Sequence, residues 1–443
     1  MSDVLDLIQD LLDRSSWRSS HWKLFIIISL SFLLDGILFS IVPASLYIVA
    51  PDSAIYVLAA NSAAFMIGAV ALGRLADLFG RRVLLIVSLV IYLIGVALYL
   101  FLHRSIAWLF ISTSLINLGV GGEVGAAYSA LAEMIPARHR GKTIMLSANF
   151  WNIGAFIIAG LAIFYSALYT DIDTQIRSLA VSALVLIVIV ALARIHIPES
   201  PRWLVEKKRV SDALNIVYSF TGSKTDLTVA QRRVPREIGL REIFSSREYL
   251  FRLLILIIIT FTQLLTYNMI AYYAPYARDF IYSVESAPTI IMIANLGAST
   301  GAFLMTPVID RSRRVSTTAS YLGGLLTALS LYASYTVHSP FTLFLSIVFL
   351  NMIFAEWAWA ALSALESELF PTGVRASVIG LNTGVAWALN TVVILLEEYI
   401  SGAQFILIAS ILWLLGFIAS IAWLLRGVES ARVPLERLLP ERR

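Results

Sequence analysis

The chain has 443 residues, of which 59% are hydrophobic and only 14% are charged. A mean hydropathy of +0.82 excludes an ordinary soluble domain, in which about a quarter of the residues are charged. Because the sequence has no cysteine, disulfides and thiolate metal sites are excluded as well. With no P-loop, nucleophile motif or metal-binding cluster in the sequence, we expect neither an enzyme nor an ATP-driven pump, and no cofactor.

Twelve apolar segments follow one another along the chain. Each has roughly the 20 residues that a helix needs to cross about 30 Å of hydrocarbon. They lie at 22–48, 55–75, 83–103, 107–133, 143–168, 178–197, 249–280, 286–308, 317–337, 341–367, 376–398 and 403–425. The sequence therefore predicts an all-α polytopic membrane protein with twelve transmembrane helices.

The predicted spans divide the chain into five parts. Two six-helix bundles (22–197 and 248–425) are joined by a polar loop (198–247) and flanked by an N-terminal segment (1–21) and a tail (426–443). The basic loops all fall on one side, which the positive-inside rule assigns to the cytoplasm. We expect both termini and the loop, with its amphipathic helices, to be cytoplasmic, and the protein to lie in the cell membrane. Because the basic residues lie beside spans, we expect no nucleic-acid partner.

Three acid–base motifs occur twice in the same order, once in each predicted bundle. The first copies are Asp77 with Arg81, Glu133 with Arg140, and Glu199 with Arg202; the second, roughly 230 residues later, are Asp310 with Arg314, Glu368 with Arg375, and Glu429 with Arg432. Repeats in register indicate two pseudo-symmetric halves arranged in parallel. We expect these charges to pair within and across the halves as a cytoplasmic gate, made when that side is closed and broken when it opens. The alternative is a set of solvated loop charges.

These motifs resemble the Major Facilitator Superfamily, over essentially the whole chain. "GRLADLFGRR" (73–82) is similar to the family's loop between the second and third helices, and "PESPRWL" (198–204) to the sugar-porter motif after the sixth. "VESARVPLE" (428–436) resembles a degraded form of the sugar-porter PETKG segment. The resemblance implies a monomer in which a solute site between two bundles opens to each side in turn.

Polar residues in the seventh span are the first candidates for a solute site. An amide both donates and accepts hydrogen bonds, which suits a hydroxyl-rich ligand. In "FTQLLTYNMIAYYAP" the resemblance to the sugar-porter QQxSGxNxxxYY motif implies that Gln263, Asn268, Tyr272 and Tyr273 bind the solute.

The eleventh span adds Trp387 and Asn390, which match the W-x-x-N of sugar porters. The face of a tryptophan suits stacking against a sugar ring. The alternative for Trp387 and the two tyrosines is ordinary packing in the protein core.

The chain departs from the sugar-porter pattern at several places. Ala148 stands where sugar porters have a Gln in the fifth span, with Asn149 beside it, and Ser363 replaces the Trp of the tenth. Glu123, in "GVGGEVG", resembles instead the GGE or GGD of organic-ion transporters. Glu356 in the tenth span is a further candidate for solute binding. The solute class is therefore open.

Asp35 is the one acidic residue in about 30 apolar positions of the first span. Burial favours its neutral form, as a proton carrier requires. Proton-coupled sugar porters pair this helix with an Arg in the fourth, where this chain has Thr113. Either Asp35 carries the proton without that partner or Glu123 does; a purely structural role for Asp35 is the alternative. We expect Glu397 and Glu398, near the outer end of the eleventh span, to be solvated.

The leading interpretation is a secondary transporter that moves a small polar solute, sugar or polyol first, together with protons. A symporter of organic acids or organic cations is the second interpretation, indicated by Glu123 and the "DG" at Asp35. A sensor that keeps the fold without transporting is the third.

Overall fold

The computed structural model describes residues 2–222, 240–309, 311–370, 372–431, 433 and 438; of these, the side chains of 2–6, 77, 206, 240, 372–373 and 375–377 are not described. The described chain is almost entirely helical. Twelve long helices form the body of the protein: α1 Ser19–Ile41, α2 Ala54–Phe79, α3 Arg81–Leu102, α4 Ile106–Met134, α5 Ala137–Leu168, α6 Ile172–Arg194, α7 Arg247–Asn268, α8 Ala287–Met305, α9 Arg313–Thr336, α10 Phe341–Glu368, α11 Thr372–Leu396 and α12 Gly402–Arg426.

Eleven of these helices are long and apolar enough to cross a membrane. α9 has sufficient length, but its sequence is rich in Ser, Thr and Gly, which lowers its hydropathy. Polar groups of α9 bond to neighbouring helices: the carbonyl of its Gly324, for example, accepts a hydrogen bond from Asn351 of α10 at 3.0 Å. α9 also packs closely against α10 and α12. The twelve-helix architecture that the sequence predicts is therefore consistent with the structure.

The two halves have the same internal packing. In the first half α4 packs against α2 and α3; in the second, the equivalent α10 packs against α8 and α9. The halves meet where α5 packs against α8 and where α2 packs against α11. These two contacts are related by the pseudo-twofold symmetry that the repeated motifs predict.

Glycine allows the closest approach between helices of the first half. A Cβ atom on Gly36 of α1 would lie 2.0 Å from the carbonyl oxygen of Trp151 on α5, and one on Gly154 would lie 2.1 Å from that of Leu33. Only glycine fits at such a separation, a common device where membrane helices pack. α1 and α5 are thus in backbone contact beside Asp35.

α7 changes its winding before it reaches the end of the span. A π-helical turn covers Met269–Tyr273 and a 3₁₀ turn containing Pro275 covers Ala274–Tyr276. Proline has no N–H to continue the helix, and π turns are frequent at functional sites. This irregular segment carries Tyr272 and Tyr273, both buried.

Short helices lie at the ends of the long ones. One covers Ser2–Arg14, and three more occur in the loop between the halves: Pro201–Glu206, Val210–Thr221 and Leu240–Ser245. Leu12 of the helix Ser2–Arg14 packs in one apolar cluster with Val217 and Phe220 of the helix Val210–Thr221. We call the side of the molecule that carries these helices and the basic loops the basic side, and the opposite one the far side.

Candidate functional site

Four buried side chains from three parts of the chain meet where the halves touch; we call them the amide cluster. Asn268 donates from Nδ2 to Oδ1 of Asn390 on α11 at 3.2 Å. Asn390 donates in turn to Ser62 Oγ on α2, at 2.9 Å, and to Tyr273 Oη, at 3.2 Å. Three residues predicted from the sequence thus lie together. Ser62, which links them to the first half, was missed because a single Ser in an apolar span matches no motif.

A second polar group surrounds Asn152 on α5. Its Nδ2 donates to Glu356 Oε2 on α10 at 3.0 Å, and the hydroxyl of Tyr267 lies 3.0 Å from its Oδ1. The same hydroxyl lies 2.6 Å from Oδ1 of Asn295 on α8. Two further predicted residues complete the group. Asn149 accepts a hydrogen bond from Asn152, and Tyr272 donates one to Asn295. This group also joins the two halves, since it connects α5 to α7, α8 and α10.

Gln263 and Trp387 are buried but take other partners. Gln263 donates to the carbonyl oxygen of Ala355 at 3.2 Å. Trp387 stacks on Phe65 of α2, with the ring centroids 3.9 Å apart. Because Phe65 covers one face of Trp387, a sugar ring stacks on that face only after the two aromatic rings separate.

Glu123 lies in a buried ion pair that the sequence analysis missed. Arg194, at the end of α6, pairs with one carboxylate oxygen, and the hydroxyls of Ser88 and Tyr92 each donate to the other at 3.0 Å. Arg194 also donates to Ser31 on α1 at 2.8 Å. At the end of an apolar run, Arg194 looks like an ordinary basic residue at a membrane boundary; its position inside the predicted span 178–197 was the available signal.

Asp35 is fully buried on α1. Within the described part of the chain, neither of its carboxylate oxygens has a hydrogen-bond partner. The charges of Glu123 and Arg194 act on it through the bundle. The two candidate proton carriers therefore differ: Glu123 is held by a cation and two hydroxyls, whereas Asp35 has no such fixed partners.

The predicted charges of the first half meet on the basic side. Arg81 lies 3.5 Å from Glu133. Glu199 accepts the free backbone N–H groups of Arg81 and Arg82 at 2.9 and 3.2 Å, so its carboxylate caps the N-terminus of α3. The hydroxyl of Ser200 donates to Glu133 and closes the cluster.

The second half repeats this cluster. Arg313 pairs with Glu368 at 3.1 Å. Glu429 accepts the backbone N–H of Arg313 at 2.8 Å and thereby caps α9, while Ser430 donates to Glu368 at 2.5 Å. The arginine that pairs with Glu368, as Arg81 pairs with Glu133, is therefore Arg313. The motif comparison had matched Arg81 to the next residue, Arg314.

Arg140 pairs with Asp13 of the N-terminal helix, a partner that no motif predicted. Arg202 lies in the first turn of the helix Pro201–Glu206, and Arg314 is the second residue of α9. Each pair described here joins residues of the same half, so pairing across the halves stays a prediction. The other predicted charges have side chains outside those that the structure describes: Asp77, Asp310, Arg375 and Arg432.

Glu397 corrects the expectation of a solvated acid at the end of α11. It is fully buried, with Tyr273 and Tyr276 nearby, whereas its neighbour Glu398 is exposed and accepts a hydrogen bond from Tyr56 of α2 at 2.6 Å. Hydropathy near a span end does not reveal which of two adjacent acids turns inward.

Two matched six-helix halves, joined through buried polar networks, are the architecture of a membrane transporter. The model of the family described as "Sugar (and other) transporter" matches residues 48–438. The chain therefore belongs to the sugar porter family of the Major Facilitator Superfamily.

Relatives and solved structures agree with this assignment. The chain is 26% identical to the niacin transporter NiaP of Acinetobacter baylyi over 332 residues, 72% of this chain and 73% of the relative. It is also 26% identical to the glucose transporter GlcP of Staphylococcus epidermidis, over 72% of each chain. The fold is similar to that of the proton:xylose symporter XylE bound to 6-bromo-6-deoxy-D-glucose, with a TM-score of 0.77 at 18% identity, covering 94% of this chain and 98% of that one.

Proposed function

We propose that the protein moves a small polar solute, a sugar or polyol first, across the cell membrane by alternating access, coupled to protons. The amide cluster carries this proposal, because it places amide and hydroxyl groups of both halves in one buried contact. A solute bound there would contact both halves at once, as alternating access requires. The basic side would face the cytoplasm.

The solute would replace hydrogen bonds that the protein now makes to itself. Asn268, Asn390 and Tyr273 bond to one another, so opening the halves frees amide and hydroxyl groups together. Such groups match neighbouring hydroxyls, each of which both donates and accepts. Trp387, once separated from Phe65, adds an aromatic face.

For the coupled proton we propose Asp35 as carrier, with Glu123 as a fixed ion. An ionised carboxylate costs several kcal/mol to bury unless it is paired, and Asp35 has no described partner. Glu123 already has Arg194 as a counter-ion. Asp35 would therefore take up a proton without breaking an ion pair, whereas a proton on Glu123 would leave Arg194 without its counter-ion.

The charged clusters of the basic side would hold the helix ends in place when that side is closed. Glu199 and Glu429 cap α3 and α9 in equivalent positions, and Asp13 adds the N-terminal helix to Arg140. We propose that these residues, with the predicted Asp77, Asp310, Arg375 and Arg432, form the cytoplasmic gate. Loss of Arg140 would then favour the open basic side.

Symport of an organic acid is the second candidate. The buried Glu123–Arg194 pair favours it, because Arg194 is a buried cation that would attract the carboxylate of such a solute. The relation to the niacin transporter NiaP supports the same solute class. The two candidates differ in a measurable way, since only one involves a charged solute.

The test is proton movement in liposomes that contain wild type, Asp35→Asn or, as control, Asp52→Asn, which changes an exposed acid on the far side. D-glucose, D-xylose, sorbitol and nicotinate are added in turn without a membrane potential. We expect a sugar or sorbitol to alkalinise the outside with wild type and Asp52→Asn, and no such signal with Asp35→Asn.

Other results lead to other conclusions. A signal with nicotinate alone would establish the organic-acid alternative. Uptake of radiolabelled solute with no proton signal in any variant would make the protein a uniporter and Asp35 a structural residue. An unchanged signal in Asp35→Asn would move the coupling role to another group.

A further inference from the structure

A small cavity lies beside the amide cluster, on the first-half side. Its volume of about 10 Å³ has room for about one water molecule. It is lined by Phe39, Pro43, Leu58, Asn61, Ser62, Asn117 and Tyr273. Tyr273 comes from the segment after α7, so the cavity lies at the contact between the halves. Ser62 and Tyr273 also belong to the amide cluster, which makes the two sites continuous.

Two asparagines of this cavity have hydrogen-bonding groups without a protein partner. Asn61, on α2, is 5% exposed, and neither its Oδ1 nor its Nδ2 has a partner within the described chain. Asn117, on α4, is 1% exposed; its Nδ2 donates to the carbonyl of Thr113 at 3.0 Å, and its Oδ1 has no such partner. Buried amide groups are nearly always hydrogen-bonded, because leaving them unpaired destabilises the protein.

The other residues of the cavity define the chemistry of its ligand. All seven lining residues are uncharged, which leaves an organic acid or cation without a counter-ion there. Phe39 and Leu58 form apolar walls, and the two amides provide both donors and acceptors. A neutral ligand that presents hydroxyl groups at its edge and an apolar face matches this arrangement, as expected of small-ligand sites.

We propose that Asn61 and Asn117 form a second part of the solute site, which binds hydroxyl groups of a neutral polyhydroxyl solute when the halves separate. In this structure the cavity is too small for such a solute; separation of Tyr273 from the first half would enlarge it. The inference rests on the proposed transport function and narrows its solute to sugars and polyols. Asn61 and Asn117 would then supply amide groups from the first half. Its fifth helix has none at position 148, where Ala148 stands in place of the glutamine of sugar porters.

The test compares Asn61→Leu with Asn351→Leu. Leucine is similar in size to asparagine and forms no hydrogen bonds. Asn351 is a matched control: it is buried on α10, donates to Gly324 and Thr327, and lies outside the cavity. Two quantities are measured: the melting temperature of the purified protein without solute, and KM for D-glucose, D-xylose or sorbitol in liposomes.

We expect Asn61→Leu to raise the melting temperature, because a buried amide without a protein partner is replaced by an apolar side chain, and to raise KM by about tenfold or more, the effect of about one lost hydrogen bond. Asn351→Leu should lower the melting temperature and leave KM unchanged. A residue kept for function at a cost in stability behaves in this way.

Two results would overturn the inference. A melting temperature lowered by Asn61→Leu, as by Asn351→Leu, would make Asn61 a structural residue. Transport of nicotinate but of no neutral probe would exclude the proposed solute class. If wild type transports none of the probes, the proposed function fails by itself, and the melting temperatures still decide whether Asn61 is held unpaired.

Discussion

Glu397 is the first residue after α11, and its carboxyl group is enclosed by protein. It is fully buried, and neither oxygen has a hydrogen-bond partner among the described residues. The titratable groups close to it are hydroxyls, those of Tyr273 and Tyr276. An ionised carboxylate costs several kcal/mol to bury without a partner. The packing at the far side therefore accommodates the acid form of Glu397 much better than the ionised form.

Replacing Glu397 by Gln should stabilise the protein, because the amide keeps the shape and removes the charge. At pH 8 we expect a higher melting temperature in detergent, by about 1 °C for each kcal/mol gained in a chain of this length. The gain should shrink toward pH 5, where the wild-type carboxyl is protonated at less cost. Glu398→Gln, at an exposed site, is the control. A lower melting temperature for Glu397→Gln at pH 8 would contradict this account.

At the scale of elements, one ion pair connects four helices of the first half. Glu123 comes from α4 and Arg194 from α6, and their hydroxyl partners Ser88 and Ser31 come from α3 and α1. Both charged side chains are almost completely buried. Removing one member of such a pair leaves the other charge uncompensated, whereas removing both leaves none.

We therefore expect Arg194→Met to destabilise the protein by about 3 to 5 kcal/mol. Adding Glu123→Gln in the same chain should recover most of that loss, since no unpaired charge then remains. The melting temperatures of the two single variants and the double variant form a double-mutant cycle. Equal instability of the single Arg194→Met and the double variant would mean that the two charges do not stabilise each other.

At the scale of the whole molecule, the basic side is built twice from one pattern. Glu199 and Ser200 in the first half correspond to Glu429 and Ser430 in the second, and each glutamate caps the third helix of its half. Burial alone would raise the pKa of Glu429, but hydrogen bonds from Ser312, Ala431 and the start of α9 outweigh it, so the pKa is lowered.

Because the pKa of Glu429 is lowered in the folded protein, its contribution to stability changes only at acidic pH and not near pH 7. Its contribution is complete above the ordinary glutamate pKa of about 4.3 and is lost as the pH falls through the lowered value. The difference in melting temperature between wild type and Glu429→Gln should thus be constant from pH 5 to 8 and shrink below about pH 4. A difference that changes between pH 6 and 8 would show that another group controls this contact.

Much of the fold could be predicted because bilayer crossing requires long apolar helices. The ninth span was predicted at 317–337, and α9 covers Arg313–Thr336, although it is the least apolar of the long helices. The motifs also led to Asn268, Asn390 and Tyr273, which lie together. Arg194, Ser62 and Asn61 were missed, because a single polar residue in or beside an apolar run does not reveal what it will contact.

The sequence by itself determined the membrane class, the number of long helices and the repeated charges, since hydropathy and motif spacing are local properties of the chain. Only the tertiary structure decided which polar groups are paired. Arg194 pairs with Glu123, Asp13 with Arg140, and Asp35 and Asn61 have no partner within the described chain. The reason is physical: a hydrogen bond or ion pair between helices depends on their rotation and separation, which packing across the whole bundle sets.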